Sequence, residues 1–235
     1  MVVGRIHLKH VGVEVIKVNQ ISTAAESAKL GEIDIAGYVL SRCGSANELD
    51  VEQYKNLKAL LSCEHAIYPS SGVEDIGFCR ELLEELKPSY LEFTVVDPEK
   101  IESSRAQLNA LAALDVRKIA NGLFLLKDDI SLLDRTAHMD ALVQSGVEMF
   151  QVEIESLVDP ESKISSKGRG RIAEFFLRYP TLIGDSFVVS TKIPDVQQRG
   201  FYLNLSPAGG RSYDFSQQQY SLSSAMRIIK GLRKV

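Results

Sequence analysis

Two glutamates stand inside apolar runs that are typical of buried strands. Glu92 lies in the run YLEFTV and Glu153 in the run MFQVEI, with Glu155 two residues further on. A carboxylate in such a run is costly unless it is paired or functional. Because alternate strand residues share a face, Glu153 and Glu155 are predicted to reach one pocket, where they could supply a general acid and a general base. The alternative is that they form buried ion pairs with Lys17 or Lys118.

A lysine near the first predicted strand is a further candidate for acid–base chemistry. Lys17 lies toward the end of the run VEVIKV, which predicts a strand over residues 13–18. At the carboxyl end of a strand its amine would point over the site and could serve as a base, as could Glu92 or Glu155. The alternative is an ammonium group that reaches solvent.

The segment SPAGGR is a candidate anion site because it follows an apolar strand and is rich in glycine. Ser206 offers a hydroxyl, and Gly209 and Gly210 let the backbone N–H groups approach a phosphate without a Cβ in the way. Arg211 adds a charge-assisted contact. Gly184, after the preceding predicted strand, is predicted to form the other half of this phosphate site, although the aspartate that follows it opposes an anion.

Two further segments are candidates for contacts with a substrate. Residues Gly168, Arg169 and Gly170 belong to the run KGRGR, and they are predicted to form a flexible loop whose N–H groups and cations attract an anion. The alternative is a solvated loop without a ligand. Arg42 follows the second predicted strand and is predicted to lie on a loop at the same face. The neighbouring Cys43 is interpreted as an ordinary loop cysteine.

Composition limits the class of protein and its partners. The 235 residues carry 27 lysines and arginines against 31 aspartates and glutamates, a net charge of −4, which disfavours non-specific binding of nucleic acid. No apolar run approaches the ~20 residues of a membrane span. Three widely spaced cysteines predict reduced thiols in a cytoplasmic protein. His7 and His10 have metal-ligand spacing only on a helix, and the alternation around them indicates an extended chain, so no metal site is predicted.

The elements that must position these groups alternate along the chain. About eight strand–helix units in 235 residues give about 29 residues per unit, close to what a (β/α)₈ barrel of ~250 residues needs. The sequence therefore predicts one barrel domain over residues 1–235, with residues 1–12 as an extension or extra strand. A doubly wound open sheet is the alternative. Residues 181–183 and 187–190 compete for the seventh strand. The other predicted strands span residues 13–18, 35–40, 65–68, 90–95, 118–126, 149–154 and 201–205.

The order of these fragments resembles the phosphoribosylanthranilate isomerase family, the barrel enzymes of tryptophan biosynthesis. The run KVNQI that begins at Lys17 resembles the family's Lys-x-Cys-Gly-(Ile/Met), and GYVL resembles its Gly-Phe-Val-Phe. The runs KGRGR and SPAGG stand where the family has a Gly-x-Gly loop and a Ser–Gly phosphate site. The resemblance implies a barrel of the ribulose-phosphate-binding type. It also implies isomerisation of a sugar phosphate by acid–base catalysis without a cofactor or metal.

The sequence departs from that family at its catalytic positions. Asn19 stands where the resemblance places the Cys that acts as base, and Asn47 stands where it places an Arg. Glu153 corresponds to the family's Asp general acid. Two hypotheses follow: an isomerase with an altered catalytic pair, or an inactive or repurposed barrel that binds an anionic small molecule or a protein partner. In either case the predicted partner is a small phosphorylated or anionic ligand, the chain being a monomer or homodimer without nucleic acid or membrane partners.

Overall fold

The strands of the protein close into a barrel. The computed structural model describes residues 15–44, 48–125, 129–154, 163–184, 196–205 and 219–233. Eight parallel strands form one sheet in which each pairs with the next, and a short ninth strand lies beside the eighth. The strands are β1 Val15–Asn19, β2 Ile35–Leu40, β3 Glu64–Pro69, β4 Tyr90–Thr94, β5 Arg117–Leu125, β6 Val147–Ile154, β7 Thr181–Gly184, β8 Gly200–Leu205 and β9 Gln219–Tyr220.

Pairing of the first strand with the eighth makes this sheet a barrel. The register runs from Val15 opposite Gly200 to Asn19 opposite Asn204. The two backbones approach closely at the start of this pair, since a Cβ on Gly200 would lie 1.9 Å from the carbonyl oxygen of Val15. The predicted (β/α)₈ barrel is confirmed and the alternative, an open doubly wound sheet, is wrong. The prediction for residues 1–12 lies outside the described residues.

Helices with well-formed caps alternate with these strands. Thr23 and Asp50 each form a capping box, in which a side-chain oxygen accepts the N–H of the third helical residue and that residue's side chain returns the bond. At α3 the carboxylate of Asp75 accepts the Phe78 N–H, so this helix begins at Ile76. The helices are α1 Ala24–Lys29, α2 Val51–Lys58, α3 Ile76–Leu86, α4 Ile101–Ala112, α5 Thr136–Gln144, α6 Ser166–Arg178 and α7 Leu222–Leu232.

The two faces of each strand have different surroundings. On β1 the side chains of Ile16 and Val18 join the apolar core between sheet and helices, while Lys17 and Asn19 face the barrel interior. This follows from the two-residue period of a strand. The amino-terminal end of the interior is filled by a separate apolar layer formed by Ile35, Ala66, Tyr90, Ile119, Met149, Leu182 and Tyr202.

Above that layer the barrel interior is polar. Lys17, Glu92 and Gln151 project from three different strands and are each at most 5% exposed. The polar groups therefore lie at the carboxyl half of the barrel, the end at which enzymes of this fold carry their active sites. Among the described residues, no helix combines the length and apolar character needed to cross a bilayer.

Candidate active site

A cavity of about 90 Å³ opens at the carboxyl ends of the barrel strands. This space is well above the minimum of ~10–15 Å³ that a cavity needs to hold one water molecule. The walls combine neutral amides and hydroxyls with one carboxylate. The described lining residues are Asn19, Gln20, Gly37, Tyr38, Val39, Tyr68, Glu92, Thr94, Asn121, Gly122, Gln151, Tyr202 and Asn204.

A buried ion pair forms the floor of this cavity. The Lys17 ammonium donates to Glu92 Oε2 at 2.6 Å, and the side chains are 0% and 6% exposed. Lys17 also donates to Asn19 Oδ1 and to Gln151 Oε1, so its three protons have three acceptors. Burial lowers the pKa of the Lys17 amine, and the charge and hydrogen bond of Glu92 oppose that shift. A glycine across from the pair makes room for it, because a Cβ on Gly37 would lie 3.2 Å from Lys17 Nζ.

Amide side chains tie the ion pair to the surrounding strands. The Asn19 amide donates to Gln151 Oε1 at 2.8 Å and to Asn204 Oδ1 at 2.9 Å. Glu92 Oε1 accepts from Gln151 Nε2 and, at 2.8 Å, from Asn121 Nδ2. Both oxygens of Glu92 are thus occupied by donors. This network of three donors rigidifies the Glu92 carboxylate and the floor of the cavity.

A second carboxylate lies higher in the mouth. Glu153, near the end of β6, is half-buried and accepts a hydrogen bond from the Tyr202 hydroxyl at 2.9 Å. Burial raises the pKa of Tyr202 well above its usual value, and the charge of Glu153 adds to this effect, so the phenol remains a proton donor. Gly184 faces Glu153 across the β6–β7 register. A Cβ on Gly184 would lie 2.5 Å from Tyr202 Cζ and 2.7 Å from Glu153 Oε2, so this position must be small.

The position directly after β1 was missed by reasoning from the sequence. Gln20 lines the cavity with a positive φ of 66°, and its Oε1 is buried without a hydrogen-bond partner among the described residues. Gln151, Asn121, Asn204 and Tyr202 were also missed. Their polar types inside otherwise apolar strands were the available signal, and Gln151 also stands two residues before Glu153 on the same strand.

The structure corrects two expectations for the basic residues. Lys17 is not at the end of its strand and does not reach the mouth or solvent; β1 continues to Asn19, and the amine is fully buried beneath the cavity. The ion-pair alternative named the wrong partners, because Lys17 pairs with Glu92. Lys118 donates to the carbonyl oxygens of Leu114 and Val116 near the start of β5, far from the carboxyl ends of the strands.

Arg42 is directed away from the cavity. Its guanidinium donates to Glu81 at 2.9 Å and to Asp75 at 3.3 Å, and it lies over the ring of Phe78 at 4.5 Å from the centroid. These partners belong to α3 or its cap, and Arg42 is not among the described residues that line the cavity. The acidic groups and the ring together satisfy the cation at the surface. Cys43 beside it is exposed, in agreement with an ordinary loop thiol.

The run KGRGR is helical rather than a loop. Gly168, Arg169 and Gly170 all lie within α6, whose Ser165 cap accepts the Gly168 N–H at 3.1 Å. Gly168 is buried, and a Cβ there would lie 2.9 Å from Ile164 Cγ2, so close packing explains the first glycine. The N–H groups of this run serve the helix and its cap, and the flexible substrate loop predicted from the glycines is not present.

Several predicted site residues lie outside the described residues. They include the second carboxylate of the predicted pair and the segment predicted to bind phosphate after β8. The roles assigned to them therefore stay predictions. These residues are Asn47, Glu155, Ser206, Gly209, Gly210 and Arg211.

The described walls offer groups for hydrogen bonding and proton transfer. Within the described ranges, no group of three or more His, Cys, Asp or Glu residues is placed to hold a metal ion. The described lining has no Lys or Arg, and Lys17 lies below it. Glu153 and the Tyr202 phenol can exchange or donate protons, while the amides can orient hydroxyl or carbonyl groups of a ligand.

Comparison with known proteins identifies the fold. No protein-family model matches the sequence, and no curated protein matches it significantly. Among solved structures, N-(5'-phosphoribosyl)anthranilate isomerase from Pyrococcus furiosus aligns over 94% of this chain and 99% of its own, with a TM-score of 0.56 and 9% identity. The phosphoribosylanthranilate isomerase of Thermotoga maritima covers the same shares, with a TM-score of 0.53 and 13% identity.

A dehydratase is similar to the same degree. Type I 3-dehydroquinate dehydratase from Clostridium difficile aligns over 95% of this chain and 93% of its own, with a TM-score of 0.52 and 13% identity. Structural similarity at these identities shows the barrel fold alone. The chemistry of the site depends on the side chains of this chain.

Proposed function

We propose that the cavity binds a small phosphorylated or anionic molecule and that Glu153 exchanges protons with it. The reaction class is isomerisation by acid–base catalysis, as the resemblance to phosphoribosylanthranilate isomerase implies. One observation carries the proposal: a half-buried carboxylate near the end of β6 accepts a hydrogen bond at 2.9 Å from the phenol of Tyr202, which lines the cavity. A carboxylate in such surroundings can protonate an oxygen or accept a proton from an adjacent carbon.

The partner of Glu153 in proton transfer differs from the one in the resembling family. Asn19 replaces the Cys base, and a neutral amide is not a usable proton acceptor. Its side chain is moreover engaged with Lys17, Gln151 and Asn204. Tyr202, which already donates to Glu153, is the described group best placed to complete an acid–base pair. We expect phosphoribosylanthranilate itself to be turned over very slowly or not at all.

The anionic part of the ligand needs contacts beyond the described walls. Since the described lining has no Lys or Arg, we propose that the segment Ser206–Arg211 binds the phosphate, as predicted from its glycines and its arginine. A barrel brings the loop after the eighth strand to the same mouth. The reacting carbons would then lie over the amide floor, within reach of Glu153.

A binding barrel without catalysis is the second candidate. It is favoured by the engagement of Asn19 and by the ion pair and hydrogen bonds that hold both Glu92 oxygens, since a carboxylate held in this way is a weaker base. Such a protein would bind the same anionic small molecule and release it unchanged.

Turnover by matched variants separates the two candidates. Purified protein is assayed with phosphoribosylanthranilate and with a panel of aldose and ketose phosphates, and Glu153→Gln is compared with Glu84→Gln, an exposed control on α3. We expect loss of the carboxylate to lower kcat by about 10²–10⁴-fold on any substrate turned over, with the control unchanged. Equal kcat in Glu153→Gln would refute the catalytic role. Binding without turnover would favour the second candidate, and turnover of phosphoribosylanthranilate at ~10 s⁻¹ would contradict the argument from Asn19.

A further inference from the structure

A separate cavity of about 170 Å³, the outer cavity, lies outside the barrel wall between the ends of β4 and β5 and the start of α5. Leu132 and Met139, which line it, belong to the apolar core between the sheet and the helices, and Val95 packs against that core. The strand ends that form its inner wall carry Thr94 and Asn121 into the candidate active site on the other side. The two cavities are therefore neighbours across one layer of backbone.

A bulge in β5 shapes the wall between the two cavities. The register of β5 against β6 shifts between Ala120 and Leu123, which leaves β5 with one extra residue. This residue reverses the alternation of the strand, so that Asn121 lines the candidate active site whereas Leu123 lines the outer cavity. Gly122 lines both cavities with a φ of 78°, and a Cβ there would lie 2.7 Å from Thr94 Cγ2. Bulges of this kind are over-represented next to functional sites.

Arg135 lines the outer cavity with most of its hydrogen-bonding capacity unused. A guanidinium carries five N–H donors. Among the described residues, the polar partner of the Arg135 side chain is Asp97 at 3.5 Å, beyond the ~2.7–3.2 Å of an ordinary hydrogen bond. Arg171, which is also partly buried, instead donates to Asp134 at 2.6 Å. Arg135 is 38% exposed, so its donors are accessible to a ligand in the outer cavity.

His138 adds a second polar group to the same wall. It follows Arg135 by three residues and therefore lies on the same side of the first turn of α5. Burial and the charge of Arg135 lower the pKa of this imidazole, and the charge of Asp97 opposes that shift, so the ring is neutral at pH 7. Its Nε2 is buried, so contact with a ligand falls to Nδ1, which is a donor when it carries the proton.

We propose that the outer cavity is a second ligand site, which binds the carboxylate of a small molecule with an apolar body. The guanidinium of Arg135 matches the two oxygens of a carboxylate, and His138 supplies a neutral donor beside it. Asp97 offsets the charge of Arg135 and competes for it, which disfavours a phosphate dianion relative to a monoanion. The side chains of Val95 and Leu132 offer apolar surface to the rest of the ligand. This site is distinct from the cavity to which the proposed function refers.

Titration with simple anions tests this assignment. The Arg135 Nε resonance and the backbone amide of His138 are followed in ¹⁵N-labelled protein with sodium acetate, sodium butyrate and sodium phosphate, sodium chloride keeping the ionic strength constant. We expect saturable shifts with both carboxylates and about tenfold tighter binding of butyrate, because each buried CH₂ contributes a factor of about four. Phosphate should bind more weakly than butyrate.

Two variants should change the affinity in opposite directions. Arg135→Met keeps the length of the side chain but lacks the donors, so it should bind butyrate about tenfold more weakly or worse. Asp97→Asn removes the competing charge and keeps an oxygen for the Glu99 N–H, so it should bind butyrate about two- to fivefold more tightly. The control is Arg42→Met, which removes an ion-paired surface arginine beside α3 and should leave the affinity unchanged.

The carboxylate assignment is overturned by any of three results: no saturable shift at Arg135 at tens of millimolar butyrate, affinity of Arg135→Met within twofold of the parent, or tighter binding of phosphate than of butyrate. Equal affinities for acetate and butyrate would refute the apolar body of the ligand. A purely structural ion pair would leave the affinity of Asp97→Asn unchanged or lower it, and this variant keeps the test decisive if Arg135→Met does not fold.

Discussion

Removing one partner of the buried ion pair should destabilise the protein more than removing both. Lys17 is fully buried and Glu92 is 5% exposed, with 2.6 Å between Nζ and Oε2. Lys17→Met leaves a carboxylate inside the barrel with amide donors only, and Glu92→Gln leaves an ammonium without a counter-charge. Each single change is expected to cost about 3–5 kcal/mol, because water cannot solvate the remaining charge.

The double variant Lys17→Met/Glu92→Gln carries no buried charge. Its cost should therefore lie well below the sum of the two single costs, with a coupling free energy of about 3 kcal/mol or more. Typical domains have about 5–15 kcal/mol of stability, so the single variants retain a folded baseline in dilute denaturant if the parent is average. Urea unfolding followed by far-UV circular dichroism and by tyrosine fluorescence suits a chain that has eight tyrosines and no tryptophan.

The pH dependence of one single variant adds an independent check on this reasoning. Burial lowers the pKa of Lys17 below its value in the unfolded chain, so the unfolded state binds more protons between those two pKa values. Glu92→Gln removes the group that opposes the shift. Its free energy of unfolding should rise as the pH approaches the ordinary lysine value of 10.5 from below, while Lys17→Met should lack this rise. Single costs below about 1 kcal/mol, or additive costs in the double variant, would refute the account of the floor as a coupled charge pair.

Two more predictions concern a buried histidine and a glycine in the mouth. Burial lowers the pKa of His65, whose ring stacks on that of Tyr38. The free energy of unfolding should therefore fall as the pH drops below about 6.5 and through the native pKa. His65→Phe should flatten this part of the plot of urea midpoint against pH, and an unchanged slope would contradict the prediction. Gly184→Ala should lower the free energy of unfolding by about 1–3 kcal/mol and perturb the Tyr202 and Glu153 resonances, because the added Cβ would overlap both side chains. The control is Gly170→Ala on α6, where the space around the glycine is open, and it should be neutral or stabilising. Equal urea midpoints for the two variants would show that the contacts of Gly184 do not constrain the mouth.

Local sequence patterns were sufficient to locate most elements of the fold. Alternating apolar runs placed strands β1–β8 within a few residues of their bounds. Counting strand–helix units favoured a barrel over an open sheet. Only the pairing of β1 with β8 decides between them, because that contact joins segments about 185 residues apart and leaves no local trace in the sequence.

For the candidate site, residue type and strand parity determined that Glu92 and Glu153 would face the barrel interior, where a lone carboxylate needs a partner. The partners themselves were decided by tertiary structure. Lys17 meets Glu92 because closure of the barrel brings β1 and β4 within reach of each other across its interior. Tyr202 on β8 meets Glu153 on β6 because Gly184, on the strand between them, has no side chain to separate the two. The helical state of the run KGRGR likewise depended on a serine cap and on packing of Gly168 against Ile164, which override the flexibility that glycines have in isolation.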